Sequence, residues 1–437
     1  MKVLRYGSRG PQVQLLQLAL QRAGYAPGGT DGIFGARTRS ALLSFQTAHR
    51  LNADGVAGVR THTALYPWYA GYAVHTLRRG DTLYKLASAY GSSVGAIETA
   101  NPGIDPLALR VGSSLVVPLG FPVVPTDIDY CSSLISFCCR GLAARYPFIT
   151  LGEMGKSAMG RTLYTLSLGS GDNRVFYNAS HHANEWITTP LLLRWCEELA
   201  GALASGGEIY GTPAAVLMNT ARLYLAPAVN PDGIDLVTGD LTSGSYYDRA
   251  AAIGADYPQI PFPSGWKANI LGTDLNLQYP AGWSQAQEIK FAQGFVSPAP
   301  RDYVGPSPLS AVESRAVYDF TLGLSPALTL SYHTQGNVIY WKYLNYEPKN
   351  SREIARLFAR SSGYAVEDTP YASGFAGYKD WFIQNYNRPG YTIEVGLGTN
   401  PLPLSQFEQI YSSNLGILTI GLTATAGIGP ADNKTIK

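Results

Sequence analysis

The apolar positions Val13, Leu15, Leu16, Leu18 and Leu20 fall mostly on one face of a helix, and Ala41-Leu-Leu-Ser-Phe-Gln46 marks a second helix. Each is followed by the same polar punctuation. Asp31-Gly-Ile-Phe-Gly-Ala-Arg-Thr-Arg-Ser-Ala-Leu42 recurs as Asp54-Gly-Val-Ala-Gly-Val-Arg-Thr-His-Thr-Ala-Leu65, a shared DGxxGxxTxxAL. In both copies Asp-Gly makes a turn and Thr-x-x-Ala-Leu opens a helix. This repeat predicts a small all-α domain over residues 1–68, with Pro67–Gly71 as a short connection. From Val74 the rhythm changes. Val74–Leu83 reads as strand, turn and helix start, with Asp81 or Thr82 as N-cap. Leu83, Leu86, Ala87 and Tyr90 keep helical spacing, Val94 and Ile97 follow, and Val111–Pro118 closes as a strand, so residues 72–118 form a βααβ unit. Pro118, Pro122 and Pro125 then mark a stiff spacer over residues 119–125.

Residues 126–427 mix apolar runs with amphipathic stretches, which predicts an α/β domain with a mixed, mostly parallel central sheet flanked by helices. Four runs end on polar residues: Val175–Ser180 on His181-His-Ala-Asn-Glu185, Leu223–Val229 on Asn230-Pro-Asp-Gly233, Ala327–Tyr332 on His333, and Tyr391–Ile393 on Glu394. Ligands of open α/β sheets bind beyond the carboxyl ends of strands, so these four ends are expected to build one site.

Composition narrows the function. Lys and Arg number 33 against 31 Asp and Glu, a net charge of +2, which argues against nucleic acid as partner. No apolar run reaches the ~18 residues of a membrane span, and none at the start resembles a signal peptide. Localisation is therefore open: the cytoplasm, sporulation and non-classical release all accommodate such a chain. Four cysteines, Cys131, Cys138, Cys139 and Cys196, are too few for a disulfide framework and read as small buried hydrophobes. The 29 tyrosines and 7 tryptophans suit sugar stacking or ordinary core packing equally well.

The chemistry centres on His182-Ala-Asn-Glu185. An imidazole and a carboxylate at i and i+3 lie on the same side of a helical turn and reach one ion. By itself such a pair is more often an N-cap or a surface ion pair. His333 supplies a third ligand, and two His plus one Glu with an open position is the donor set of a catalytic zinc. His181 is read as a packing or hydrogen-bonding residue, and His49, His62 and His75 as solvated.

Three resemblances follow. Residues 4–67 resemble the peptidoglycan-binding three-helix domain. Residues 73–118, with Gly80-Asp-Thr-Leu83, Asn101-Pro102 and Leu115-Val-Val-Pro118, resemble a LysM module, which implies N-acetylglucosamine-containing glycan strands as a partner and Gly80, Asp81, Thr82 and Asn101 beside the sugar groove. From residue 126 onward the chain resembles the zinc carboxypeptidase family. Gly155–Arg161, His182–Trp186, Asn230–Gly233, Gly272–Asn276, the His333 strand, Tyr371 with Asp380-Trp381, and Tyr391–Val395 match its segments in order.

The last resemblance implies one zinc held by His182, Glu185 and His333, Glu394 as general base, and Asp274 orienting His182. It further implies Asn276 in substrate binding and Tyr371 as the mobile tyrosine, the latter after a one-residue insertion. Lys267 stands where the family has an arginine that steadies the oxyanion. Leu277 replaces the arginine that clamps a terminal carboxylate, and leucine cannot make that bidentate contact. Arg301 and Lys379 are candidate replacements, each balanced against an ordinary ion-pair role. Leu275-Asn-Leu-Gln278 resembles the branch that cleaves γ-D-glutamyl–diaminopimelate bonds in peptidoglycan stem peptides. The expectation is a zinc peptidase of that bond; the alternatives are a carboxypeptidase on wall peptides and a catalytically silent wall-binding protein.

Overall fold

A computed structural model describes residues 1–426, and the chain divides into two units, Met1–Leu151 with Thr238–Asp240, and Gly152–Val237 with Leu241 onward. In the first unit the repeat becomes a pair of matched polar knots. Helices α1 (Pro11–Arg22), α2 (Ala36–Ala48) and α3 (Val59–Ala70) bury Leu16, Leu20, Leu42, Phe45 and Leu65. The Gln17 amide donates to Asp31 Oδ1 (2.7 Å) and Thr38 Oγ1 (3.0 Å) and accepts from Gly32 N (2.9 Å). Gln46 makes the same bonds to Asp54 (3.1 Å), Thr61 (3.2 Å) and Gly55 N (3.0 Å). Gly32 and Gly55 both have φ of 71°, a conformation open to glycine. The DGxxGxxT spacing is thus the spacing of a buried amide's partners. Two sequence expectations change here. Helix α3 continues through Pro67 to Ala70, so that segment is helix and not connection. His62 is buried, bonded to Tyr69 Oη and to the Lys2 carbonyl, both at 2.9 Å, so it is not solvated.

Strands β1 (Tyr72–Thr76) and β2 (Ser114–Pro118) pair antiparallel around α4 (Leu83–Tyr90) and α5 (Val94–Ala100). Thr82 caps α4 by accepting from Lys85 N (3.2 Å), and Ser93 caps α5 through Ala96 N (3.0 Å). Residues 119–125, expected as a spacer, are packed: Leu119, Val123 and Val124 are buried. The reason lies in α6 (Ser132–Arg145), whose Arg145 donates to the carbonyls of Gly71 (2.9 Å from Nε) and Leu119 (2.6 Å). Such a planar donor fork ties the chain on either side of the small sheet to α6.

In the second unit an eight-stranded mixed sheet forms. Its strands are β3 (Thr150–Lys156), β4 (Thr162–Leu168), β5 (Asn173–Ala179), β6 (Ala221–Ala226), β7 (Leu328–His333), β8 (Val338–Tyr340), β9 (Ala365–Glu367) and β10 (Gly390–Glu394). Their order is β9-β8-β10-β7-β5-β6-β4-β3. The central four, β10, β7, β5 and β6, are parallel, and β4 and β8 run antiparallel to the neighbours they flank. Nearly every central residue is buried on both faces, which is why these strands read as continuous apolar runs. Register sets the site: Glu394 pairs with His333, and Tyr332 with Ala179, so three carboxyl ends stop at one level. All four strand ends expected to carry polar residues are neighbours.

Candidate metal centre and active site

At the end of β5 the chain turns through Ser180 at φ 54°, and the turn Ala183–Glu185 folds Glu185 back over His182, its N-terminal flanking residue. His182 Nδ1 lies 2.9 Å from Glu185 Oε1, His333 Nδ1 lies 2.9 Å from Glu185 Oε2, and the two Nδ1 atoms are 3.2 Å apart. Among the described residues this is the group of three His, Cys, Asp or Glu whose ligand atoms, all within 4.8 Å of one another, can share one ion. Asp274 Oδ1 lies 3.2 Å from His182 Nε2 and holds the ring so that Nδ1 faces the cluster. Two imidazole nitrogens facing each other beside a carboxylate can hold one cation between them. This N₂O donor set fits zinc.

Charge balance within the cluster shows in the titration of its members. Burial disfavours the His182 imidazolium, but the carboxylates of Glu185 and Asp274 outweigh it and raise the group to about 9. Burial opposes ionisation of Glu185 too, yet His182 and Lys267 hold it well below the usual carboxylate range. For Glu394 burial, and then the charge of Glu185, outweigh the pull of Lys267 and His182 and push it up to about 8. His333 is lowered by burial.

One cavity contains the cluster and most of the expected residues. His182, His333, Glu394, Lys267, Asp274, Asn276, Arg301 and Lys379 all line it. Lys267 Nζ donates to Glu185 Oε1 at 2.8 Å. Asn276 accepts from Tyr378 N at 3.0 Å. Leu277 is in the wall, only 8% exposed, so no arginine is presented there. Tyr371 is different. It lies on the turn Tyr371–Ser373 with its ring against Phe375 and is 71% exposed, while its neighbours Pro370 and Ser373 line the cavity. His181 is buried under the site, bonded to Tyr279 Oη at 3.0 Å and stacked on His333.

Four lining or flanking residues make contacts that the sequence does not announce. Asp302 ion-pairs with Lys290 (2.6 Å) and Arg301, and its backbone N donates to Asp274 Oδ2 (3.1 Å). Asp380 pairs with Lys379. Asn400 bonds the Thr334 hydroxyl (2.6 Å) and lies 3.5 Å from Glu185 Oε1. Asp302 and Asn400 sit on loops, where no periodicity marks them, and Lys290 and Asp380 on the helices Trp283–Ala292 and Tyr378–Tyr386; only the position of Asp302 after Arg301 and of Asp380 after Lys379 hints at ion pairs.

The glycan-side candidates lie in the first unit. Gly80 adopts φ 89°, its carbonyl accepts from Lys85 Nζ (2.8 Å), and Thr82 caps α4 as described. Asp81 accepts from Arg78 N and is hydrogen-bonded to His75 Nε2, both at 2.8 Å, so His75 is held against Asp81 and is not a freely solvated side chain. The Asn101 amide donates to the carbonyls of Ile97 and Val116 (2.7 Å each) and accepts from Val116 N (2.9 Å), fastening α5 to β2.

Comparison with known proteins now decides the family. Residues 135–415 match the zinc carboxypeptidase model. The chain belongs to the zinc carboxypeptidase family. It is a metallopeptidase of a zinc-dependent family, and it also carries a peptidoglycan-binding domain (residues 9–65) and a LysM domain (residues 75–118). It is 41% identical over 295 residues to gamma-D-glutamyl-L-diamino acid endopeptidase 1 of Lysinibacillus sphaericus, covering 67% of this chain and 72% of that one. Identity to carboxypeptidase B of Rattus norvegicus is 24% over 282 residues, covering 60% and 62%. Bovine thrombin-activatable fibrinolysis inhibitor shares the fold, with a TM-score of 0.54 at 19% identity over 68% of this chain and 98% of that one. No helix among the described residues is long and apolar enough to cross a membrane.

Zinc uptake must displace protons from this site. His182 is raised to about 9 in the metal-free chain, so at neutral pH it is mostly protonated and must lose that proton before Nδ1 can bind. Affinity is expected to rise about tenfold per pH unit for each displaced proton between roughly pH 6 and 8. Chelator competition across that range measures it, and a flat profile contradicts it.

Proposed function

We propose that this metallopeptidase hydrolyses the γ-D-glutamyl–diaminopimelate bond of peptidoglycan stem peptides, using one zinc held by His182, Glu185 and His333. The wall-binding domains bring it to glycan strands and their stems. Zinc supplies Lewis acidity at the scissile carbonyl when bound. Glu394, at the end of the strand beside His333, takes the proton of the attacking water and delivers it to the leaving amine. Asp274 keeps His182 in the ligating tautomer. Lys267 stabilises the developing oxyanion with its ammonium, a point charge where a guanidinium is usual. Tyr371, on an exposed turn at the cavity's edge, has to swing inward to touch substrate.

Leu277 carries the bond assignment. A carboxypeptidase must hold the terminal carboxylate of its substrate, and an arginine fork is the usual means. Here an apolar side chain forms that part of the wall, and a carboxylate desolvated against it costs roughly a few kcal/mol. The name and 41% identity of the Lysinibacillus relative favour the same reading. A digest of the tetrapeptide L-Ala-γ-D-Glu-diaminopimelyl-D-Ala decides between the readings by mass spectrometry. Release of L-Ala-D-Glu is expected; loss of D-Ala alone would make the protein a carboxypeptidase.

A further inference from the structure

We infer that Asn400, locked to Thr334, is a positioning residue for the metal, holding the Glu185 carboxylate in its ligating orientation once the two imidazoles have turned to zinc. The inference rests on the ligand set His182, Glu185 and His333. Among the described residues five nitrogen atoms bond that carboxylate. Oε1 meets Lys267 Nζ (2.8 Å), His182 Nδ1 (2.9 Å) and, over a longer 3.5 Å, Asn400 Nδ2. Oε2 meets His333 Nδ1 (2.9 Å) and accepts from Thr334 N (3.3 Å). An imidazole nitrogen that ligates a cation uses its lone pair to do so and cannot donate a proton to Glu185 as well. Lys267, in its oxyanion role, turns to the substrate. One uncharged donor then remains on each oxygen, Asn400 on Oε1 and Thr334 on Oε2. Neutral donors orient a ligating carboxylate and leave its charge to the cation.

The two donors are fastened to each other. Thr334 follows His333 directly; its hydroxyl donates to Asn400 Oδ1 at 2.6 Å, and its carbonyl accepts from Asn400 Nδ2 at 3.1 Å. With both ends of the amide fixed, the second proton of Nδ2 is directed at Glu185. The loop carrying Asn400 leaves β10 just after Glu394 and folds back on the end of β7. Val395 N donates to the His333 carbonyl at 2.9 Å, and Gly336 N to the Gly396 carbonyl at 2.8 Å. Gln406 accepts from Leu397 N (3.1 Å) and donates to the Leu397 carbonyl (2.7 Å), and Leu402 is buried just beyond. These ties fix the path of the loop without Asn400, so the amide is free to serve the carboxylate. The bracket thereby joins the end of the strand that bears Glu394 to the ligand on the far side of the cluster.

Asn400→Ala and Thr334→Val in the full-length chain test the inference with zinc and with cobalt(II). The first removes the donor to Oε1. The second keeps the backbone N–H on Oε2 and removes the hydroxyl that anchors the amide. Chelator competition is expected to show zinc affinity roughly 10- to 100-fold weaker in Asn400→Ala, the range for losing a group that orients a ligand, with a smaller loss in Thr334→Val. The visible absorption of the cobalt-loaded chain, which reports ligand geometry, is expected to change in both. Thermal unfolding in excess chelator should stay at the wild-type temperature. Unchanged zinc affinity and cobalt spectrum in Asn400→Ala overturn the inference. So does a loss of affinity matched by a lower unfolding temperature in chelator and an unaltered cobalt spectrum, which would make the amide a fold contact only. If Asn400→Ala does not fold, Thr334→Val decides on the same readouts. His333→Ala separates this inference from the reading beneath it. Zinc retained there defeats the ligand set, whereas zinc lost there but held normally by Asn400→Ala defeats the bracket alone.

Discussion

Glu394→Gln is expected to keep its zinc and lose about 10²–10⁴-fold or more in turnover, the range for removing a general base from its transition state. The metal should stay because Glu394 is not among the three clustered ligands. It lies on β10 beside His333, and its neutral form is already the favoured one in the metal-free site, where burial and Glu185 hold it up at about 8. Glutamine reproduces the shape and charge of that neutral form, so folding should be undisturbed. With the dication in place the carboxylate form is favoured, because an adjacent positive charge lowers an acid's pKa. The base is then ionised and able to accept a proton. Measuring zinc content and kcat on one preparation checks both halves. A variant that retained more than about a tenth of the wild-type rate would exclude Glu394 as the base, since that step alone contributes over tenfold.

Much of this candidate site could be read from the chain because its residues sit where periodicity ends. His182, His333 and Glu394 each follow an apolar run, and a parallel sheet lines up the ends of such runs. Leu277 was legible for a different reason: a departure inside an otherwise matching segment points to a changed contact. The residues that escaped notice are held by tertiary contacts alone. Lys290 comes from a helix and Asp302 from a loop, and nothing in either stretch announces their 2.6 Å pair. His62 looked polar and hence solvated, but it is buried between Tyr69 and the Lys2 carbonyl. A polar side chain's surroundings are not written in its own position. The prolines of residues 118–125 misled similarly, since stiffness in a segment does not say whether Arg145 will draw it into a core.

His333→Ala is expected to take zinc content from one per chain to near zero and activity with it. The substitution leaves His182 and Glu185, and two protein ligands are too few for a stable catalytic site. The rest of the cluster then favours closure without metal. Lys267 already lies 2.8 Å from Glu185 Oε1, and His182 is raised to about 9, so two cationic groups are ready to neutralise the carboxylate. Any ion entering the variant must displace them with one donor fewer. The fold should survive, because β7 keeps its register with β5 and β10 and Thr334 N still donates to Glu185 Oε2 at 3.3 Å. Atomic absorption on dialysed protein, with circular dichroism as the folding control, separates these outcomes. Full metal in a folded His333→Ala chain would mean that the third ligand lies elsewhere, and the parallel loss expected for His182→Ala and Glu185→Ala would then identify which two of the three remain.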